Sequence, residues 1–148
     1  MIGPMSVTHA RSIAPDATLR GDGRWWATGG AACFWVAGDA GIYRPSLDAQ
    51  FARLIPDAPV ELAKIGRTCV QDRGPLPVYR LRDMSGILYR ARFLEVAEEE
   101  WPDLAWYAPD RVGRGRDGLS ETWAAARVGD LWVAFVAPVV TKIEECRL

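Results

Sequence analysis

The chain has 148 residues and a mass of 16.4 kDa, enough for one domain to close a core without metal or disulfide support. With 49% hydrophobic and 25% charged residues it falls outside the disordered, collagen-like and low-complexity classes. Eighteen Lys and Arg against nineteen Asp and Glu leave a net charge of −1, a total without the signature of a nucleic-acid binder, although a basic face fits within it.

Residues 1–19 are expected to be an irregular N-terminal segment with a short strand at 6–13, closed by Pro15-Asp16. Residues 24–28 and 32–36 flank Gly29-Gly30, and aromatics around paired glycines predict a β-hairpin. A loop follows at 38–41. Ser46 is a candidate N-cap for a helix over 47–54, with Leu47, Phe51 and Leu54 on one face and Pro56 as its stop.

Extended pieces are predicted at 60–65, 68–71 and 78–83, the last with Tyr79 and Leu81 on one face and Arg80 and Arg82 on the other. Over 90–101 a second helix gathers Phe93, Leu94, Ala97 and Trp101 into one stripe while Arg92, Glu95 and Glu99 face away, and Pro102 closes it. A strand at 104–107, a polar loop at 109–120 and a hairpin of 121–128 with 131–136 around Gly129-Asp130 complete the chain. The strand at 131–136 is apolar on both faces, so one side meets the core and the other a further layer or a partner. This order fits one α+β domain over 1–148, antiparallel sheets with two helices packed on one face.

Chemistry-bearing residues are sparse. His9 is the only histidine and lies far from any run of catalytic-looking residues, which removes Ser-His, Cys-His and His-rich metal arrangements. Cys33, Cys69 and Cys146 have no CxxC spacing, so buried free thiols are expected rather than a disulfide framework or zinc site. No nucleotide-binding or HExxH motif occurs. The consecutive Glu98, Glu99 and Glu100 read as a solvated helix face, and most of the seven tryptophans as core, with one or two left to anchor a partner. The expectation is a protein that is not an enzyme and takes no cofactor and no metal. No apolar run reaches the roughly 18 residues that span a bilayer, and the start lacks a basic-then-apolar leader, so the expected compartment is the cytoplasm.

Three stretches carry a resemblance. Asp22-Gly23-Arg24-Trp25-Trp26-Ala27-Thr28-Gly29-Gly30 resembles the hairpin of bacterial DNA polymerase sliding clamps, where a strand ending in Ala-Thr leads into a turn. Leu88-Tyr89-Arg90-Ala91-Arg92-Phe93-Leu94-Glu95-Val96 is similar to the entry of a clamp domain's second helix, and the tail from Asp130 to Val139 to the clamp's final strand. Their order agrees over residues 20–140. The resemblance, which extends to short clamp-like phage proteins, implies a non-enzymatic processivity or recruitment factor of DNA replication. A family ring holds several such domains and this chain has room for one, so a homo-oligomer is implied.

Its implied partners are double-stranded DNA, bound without sequence preference, and a protein such as a polymerase peptide seated in an apolar groove at Pro138, Val139 and Val140. Arg44, Arg53, Arg90, Arg111, Arg114 and Arg116 are the candidate DNA contacts. The second helix is acidic where clamps line their hole with basic faces. That charge favours the alternative, a small phage-type inhibitor or adaptor that turns the same fold to protein binding.

Overall fold

In the computed structural model, which describes residues 2–29, 31–38, 55, 59–71, 75–81, 88–109, 123–139 and 144–145, the first element is a helix and not the expected strand. Ser6 is extended (φ −64°, ψ 143°), and its Oγ accepts the His9 N–H at 3.2 Å, capping α1 (Val7–Arg11). One turn of helix directs Ala10 inward, and Ile13 and Ala14 follow it into the core. Met5 is fully buried and bridged to the chain around Val36 by the bonds Met5 N–H to Trp35 O and Ala37 N–H to Met5 O. The segment expected to be irregular is thus built into the domain.

β1 (Ala17–Gly21) and β2 (Arg24–Gly29) form a hairpin whose two turn residues, Asp22 and Gly23, have φ of 49° and 71°. Positive φ at both central positions is the tight hairpin turn whose twist matches that of the strands. The hairpin expected around residue 30 is present as β2 paired with β3 (Ala32–Val36), Trp26 opposite Trp35. β4 (Pro59–Leu62) and β5 (Lys64–Gln71) replace the pieces expected at 60–65 and 68–71: the chain leaves one sheet and enters another at Ala63. β6 (Pro75–Leu81), β7 (Leu88–Arg90), α2 (Ala91–Glu100), β8 (Ala105–Pro109), β9 (Ala124–Val128), β10 (Leu131–Val136) and β11 (Glu144–Glu145) follow. The expected helix at 47–54, the loop tip at 39–41 and the loop at 110–120 lie outside the described residues.

The strands make an antiparallel sheet of seven, in the order β1-β2-β3-β10-β9-β8-β4, and one of four, β11-β5-β6-β7. Both described helices, α1 and α2, pack on one face of the larger sheet, an α+β arrangement of the class that the element order predicts. That inner face carries Ala27, Phe34, Val36, Ala126, Ala134 and Val136 against Ala10 of α1 and Leu94 and Ala97 of α2. The outer face carries Trp26, Cys33, Ala125 and Phe135, with Trp35, Ile55, Trp123 and Trp132 packed around them. β10 is therefore covered on both sides, as its two apolar faces require. β6 accommodates Pro75 and Pro77 in a central strand because β7 pairs only with Val78, Tyr79 and Arg80.

α2 lies between the two sheets, and this overturns two expectations about its polar side. Glu95 accepts a hydrogen bond from the Tyr79 hydroxyl at 3.2 Å and an ion pair from Arg67 at 2.9 Å. Glu98 accepts Lys64 Nζ at 2.6 Å and the Trp106 indole N–H at 3.4 Å, so it ties α2 to both sheets, while Glu99 and Glu100 are exposed. These pairs are partly exposed, and each contributes up to about 1 kcal/mol. Among the described residues no helix is long and apolar enough to cross a membrane.

Cys33 is free and buried, and Cys69 is disulfide-bonded, which corrects the expectation of free thiols throughout. Burial pushes the Cys33 thiol far above its ordinary range and keeps it as the unreactive neutral form. Thiol titration with peptide mapping is therefore expected to leave Cys33 unmodified in the native protein and to modify it in denaturant, where Cys69 stays unmodified until reductant is added. Three reactive thiols in unreduced, denatured protein would remove the disulfide.

Candidate functional site

Along α2, Phe93 and Val96 are three residues apart and lie on one side of the helix, next to the row of Arg92, Glu95 and Glu99. That side borders β6, where Leu76 and Pro77 complete an apolar floor. The result is a groove of about 650 Å³, with Arg67 from β5 and Arg90 and Arg92 from the start of α2 on its rim. Glu95 and Glu99 supply the acid.

The rim charges are unevenly spent. Arg67 is engaged with Glu95, at half exposure for both side chains. Among the described residues Arg92 reaches only the Ser12 carbonyl, at 3.4 Å. Arg90 is the N-cap residue of α2, extended at ψ 122°, and among the described residues its guanidinium makes no hydrogen bond and no ion pair. No acidic side chain occupies the first turn of the helix, so the helix itself supplies no carboxylate to offset the partial positive charge of its backbone N–H groups. The groove is an apolar trough with one electropositive end.

Of the arginines nominated for DNA contact, Arg90 is on this rim; Arg44, Arg53, Arg111, Arg114 and Arg116 lie outside the described residues. Pro138 and Val139, nominated for partner contact, are both buried. Val139 N–H donates to the Leu88 carbonyl at 2.8 Å, and its side chain packs with Val70, Val78 and Leu88 to close one side of the four-stranded sheet. Val140 lies outside the described residues. The groove was not read from the sequence, although the run Arg90, Arg92, Phe93, Val96 holds its signal: cationic and apolar residues at helical spacing beside the buried stripe.

Buried groups with reactive potential are held neutral. Tyr89 is fully buried, and desolvation raises its phenol well above the usual range, as it does the Cys33 thiol. His9 is exposed on α1. Among the described residues no group of three or more His, Cys, Asp and Glu side chains comes together to hold a metal ion. Comparison of the chain with protein-family models, with curated proteins and with solved structures finds no match.

Proposed function

We propose that the chain is a non-enzymatic binding protein, an adaptor or inhibitor that seats an acidic, partly apolar segment of a partner protein in the groove beside α2. The observation that carries this reading is Arg90, a guanidinium unpaired among the described residues, at the end of an apolar floor made by Leu76, Pro77, Phe93 and Val96. A carboxylate there gains a charge-assisted hydrogen bond, and neighbouring apolar side chains bury surface on the floor. A duplex is less well matched. Glu95 and Glu99 share the groove, and the exposed Glu99 and Glu100 set like charge against a phosphate backbone.

Fluorescence anisotropy with a labelled peptide that alternates Leu or Phe with Asp tests the reading against a short DNA duplex. The peptide is expected to bind, and Arg90→Glu to weaken it by about tenfold or more, the size of one lost charge-assisted hydrogen bond. Binding of the duplex with a steep salt dependence, the peptide remaining free, would overturn the reading in favour of a clamp-like DNA factor. That factor would also show a stable homo-oligomer in light scattering.

A further inference from the structure

A second arrangement stands apart from the groove, on the outer face of the seven-stranded sheet. The register sets Arg127 of β9 opposite Trp132 of β10 and Ala105 of β8. Its guanidinium carbon lies 4.4 Å from the centroid of the Tyr107 ring and 5.1 Å from that of Trp132. The two rings meet edge to face at 5.6 Å. Contacts of this kind attract a cation to the ring quadrupole and hold a long side chain in place without using its in-plane N–H groups.

The donors of Arg127 are correspondingly unspent. Its Nε is buried without a hydrogen-bond partner, and among the described residues no hydrogen bond or carboxylate engages its guanidinium. Glu61, which the register places opposite Tyr107, is exposed and makes no ion pair with it. Arg24 donates from Nη2 to the Trp132 carbonyl at 2.8 Å and stacks over Trp26 and Trp35. Its Nη1 is also buried without a partner. The only carboxylate paired with Arg24 among the described residues is Asp22, at 3.9 Å and largely exposed. Among the described residues the two half-buried cations on this face thus have one counter-charge, the distant Asp22.

We propose that Arg127, held by Tyr107 and Trp132, is a recognition site for an oxyanion group, a carboxylate or a phosphate. The fork of a fixed guanidinium matches two oxygens of such a group, and the side chain is already ordered before the ligand arrives.

Proton–nitrogen NMR of the arginine Nε–H and tryptophan indole signals tests this, with sodium phosphate or sodium acetate titrated at ionic strength held constant by sodium chloride. Saturable shifts at Arg127 and Trp132 are expected with at least one of the two anions, and binding at least tenfold weaker in Arg127→Gln. Arg127→Lys, which keeps the charge and loses the fork, is expected to weaken it similarly, and serves if the glutamine variant does not fold. A response to phosphate alone assigns a phosphate ligand, and a response to acetate alone or to both assigns a carboxylate-accepting site. No saturable shift with either anion, or shifts of full size in both variants, would overturn the proposal.

Discussion

Truncation of Trp26 to alanine is expected to destabilise the protein by about 3–5 kcal/mol, the range for removing a large aromatic side chain from a close-packed site. The ring is fully buried on the outer face of the larger sheet, where it contacts Phe135 at 5.6 Å between centroids and supports Arg24 at 4.7 Å. Its indole N–H donates to the Gly21 carbonyl at 2.9 Å, so the truncation also removes a buried hydrogen bond at the β1–β2 turn. Against a total stability of about 5–15 kcal/mol, a loss of this size brings the domain close to unfolding at ordinary temperature. Urea denaturation followed by far-ultraviolet circular dichroism measures it.

The adjacent Trp25 supplies the control. It points to the inner face, is half-buried and packs at the border of the main core beneath Arg20, so Trp25→Ala is expected to cost clearly less. A strand shifted by one residue would exchange the two faces and reverse this order. Equal losses at Trp25 and Trp26, or a larger loss at Trp25, would therefore refute the register that places β2 between β1 and β3.

What could be read from the sequence was whatever repeats at a short period against a single core. The β2–β3 and β9–β10 hairpins have apolar strands around glycine turns, and α2 has a stripe that ends at Pro102. α1 escaped because it is one turn long and opens with the β-branched Val7 and Thr8, whose propensity argues for a strand; only the Ser6 cap and the burial of Ala10 make it helical. β1 escaped although Asp22-Gly23 is a strong hairpin signal, because the aromatic run beyond it drew the turn to Gly29-Gly30.

The break at Ala63 has no local mark, since alternation looks the same in either sheet. Glu95 and Glu98 were assigned to solvent on the assumption of one packed face. α2 has two, and its second face meets Arg67, Lys64 and Tyr79 from a sheet formed by residues distant in sequence. The groove has the same origin: Arg90 could be nominated for its charge, but the floor beneath it exists only once Leu76 and Pro77 are brought beside Phe93 and Val96.

Gly29→Ala is expected to be the second severe substitution, although it adds a single methyl group. Gly29 ends β2, opposite Ala32 of β3, and an added Cβ would lie 2.7 Å from the Ala14 Cα, 2.7 Å from the Pro15 Cδ and 2.8 Å from the Ala14 carbonyl carbon. Two of these are backbone atoms and the third belongs to a proline ring, so no rotamer change relieves the contact. The 14–15 segment would have to lift from the sheet. That segment is pinned by Ala14 N–H to Ala10 O at 2.7 Å and by Asp16 N–H to Thr28 O at 2.9 Å, and Ala14 is fully buried. Lifting it breaks the link between α1 and β1, and the cost is expected to reach or exceed the roughly 1–3 kcal/mol of an overpacked core site. Gly66→Ala is the matched control: a Cβ there meets nothing within 4 Å, and β5 gains a side chain in place of a glycine. It is expected to be neutral or to stabilise by up to about 1 kcal/mol. Thermal unfolding of the two variants separates close approach from a general intolerance of substitution at strand glycines. If Gly29→Ala melts with the unchanged protein, then α1 and its connection to β1 do not sit on β2 as described.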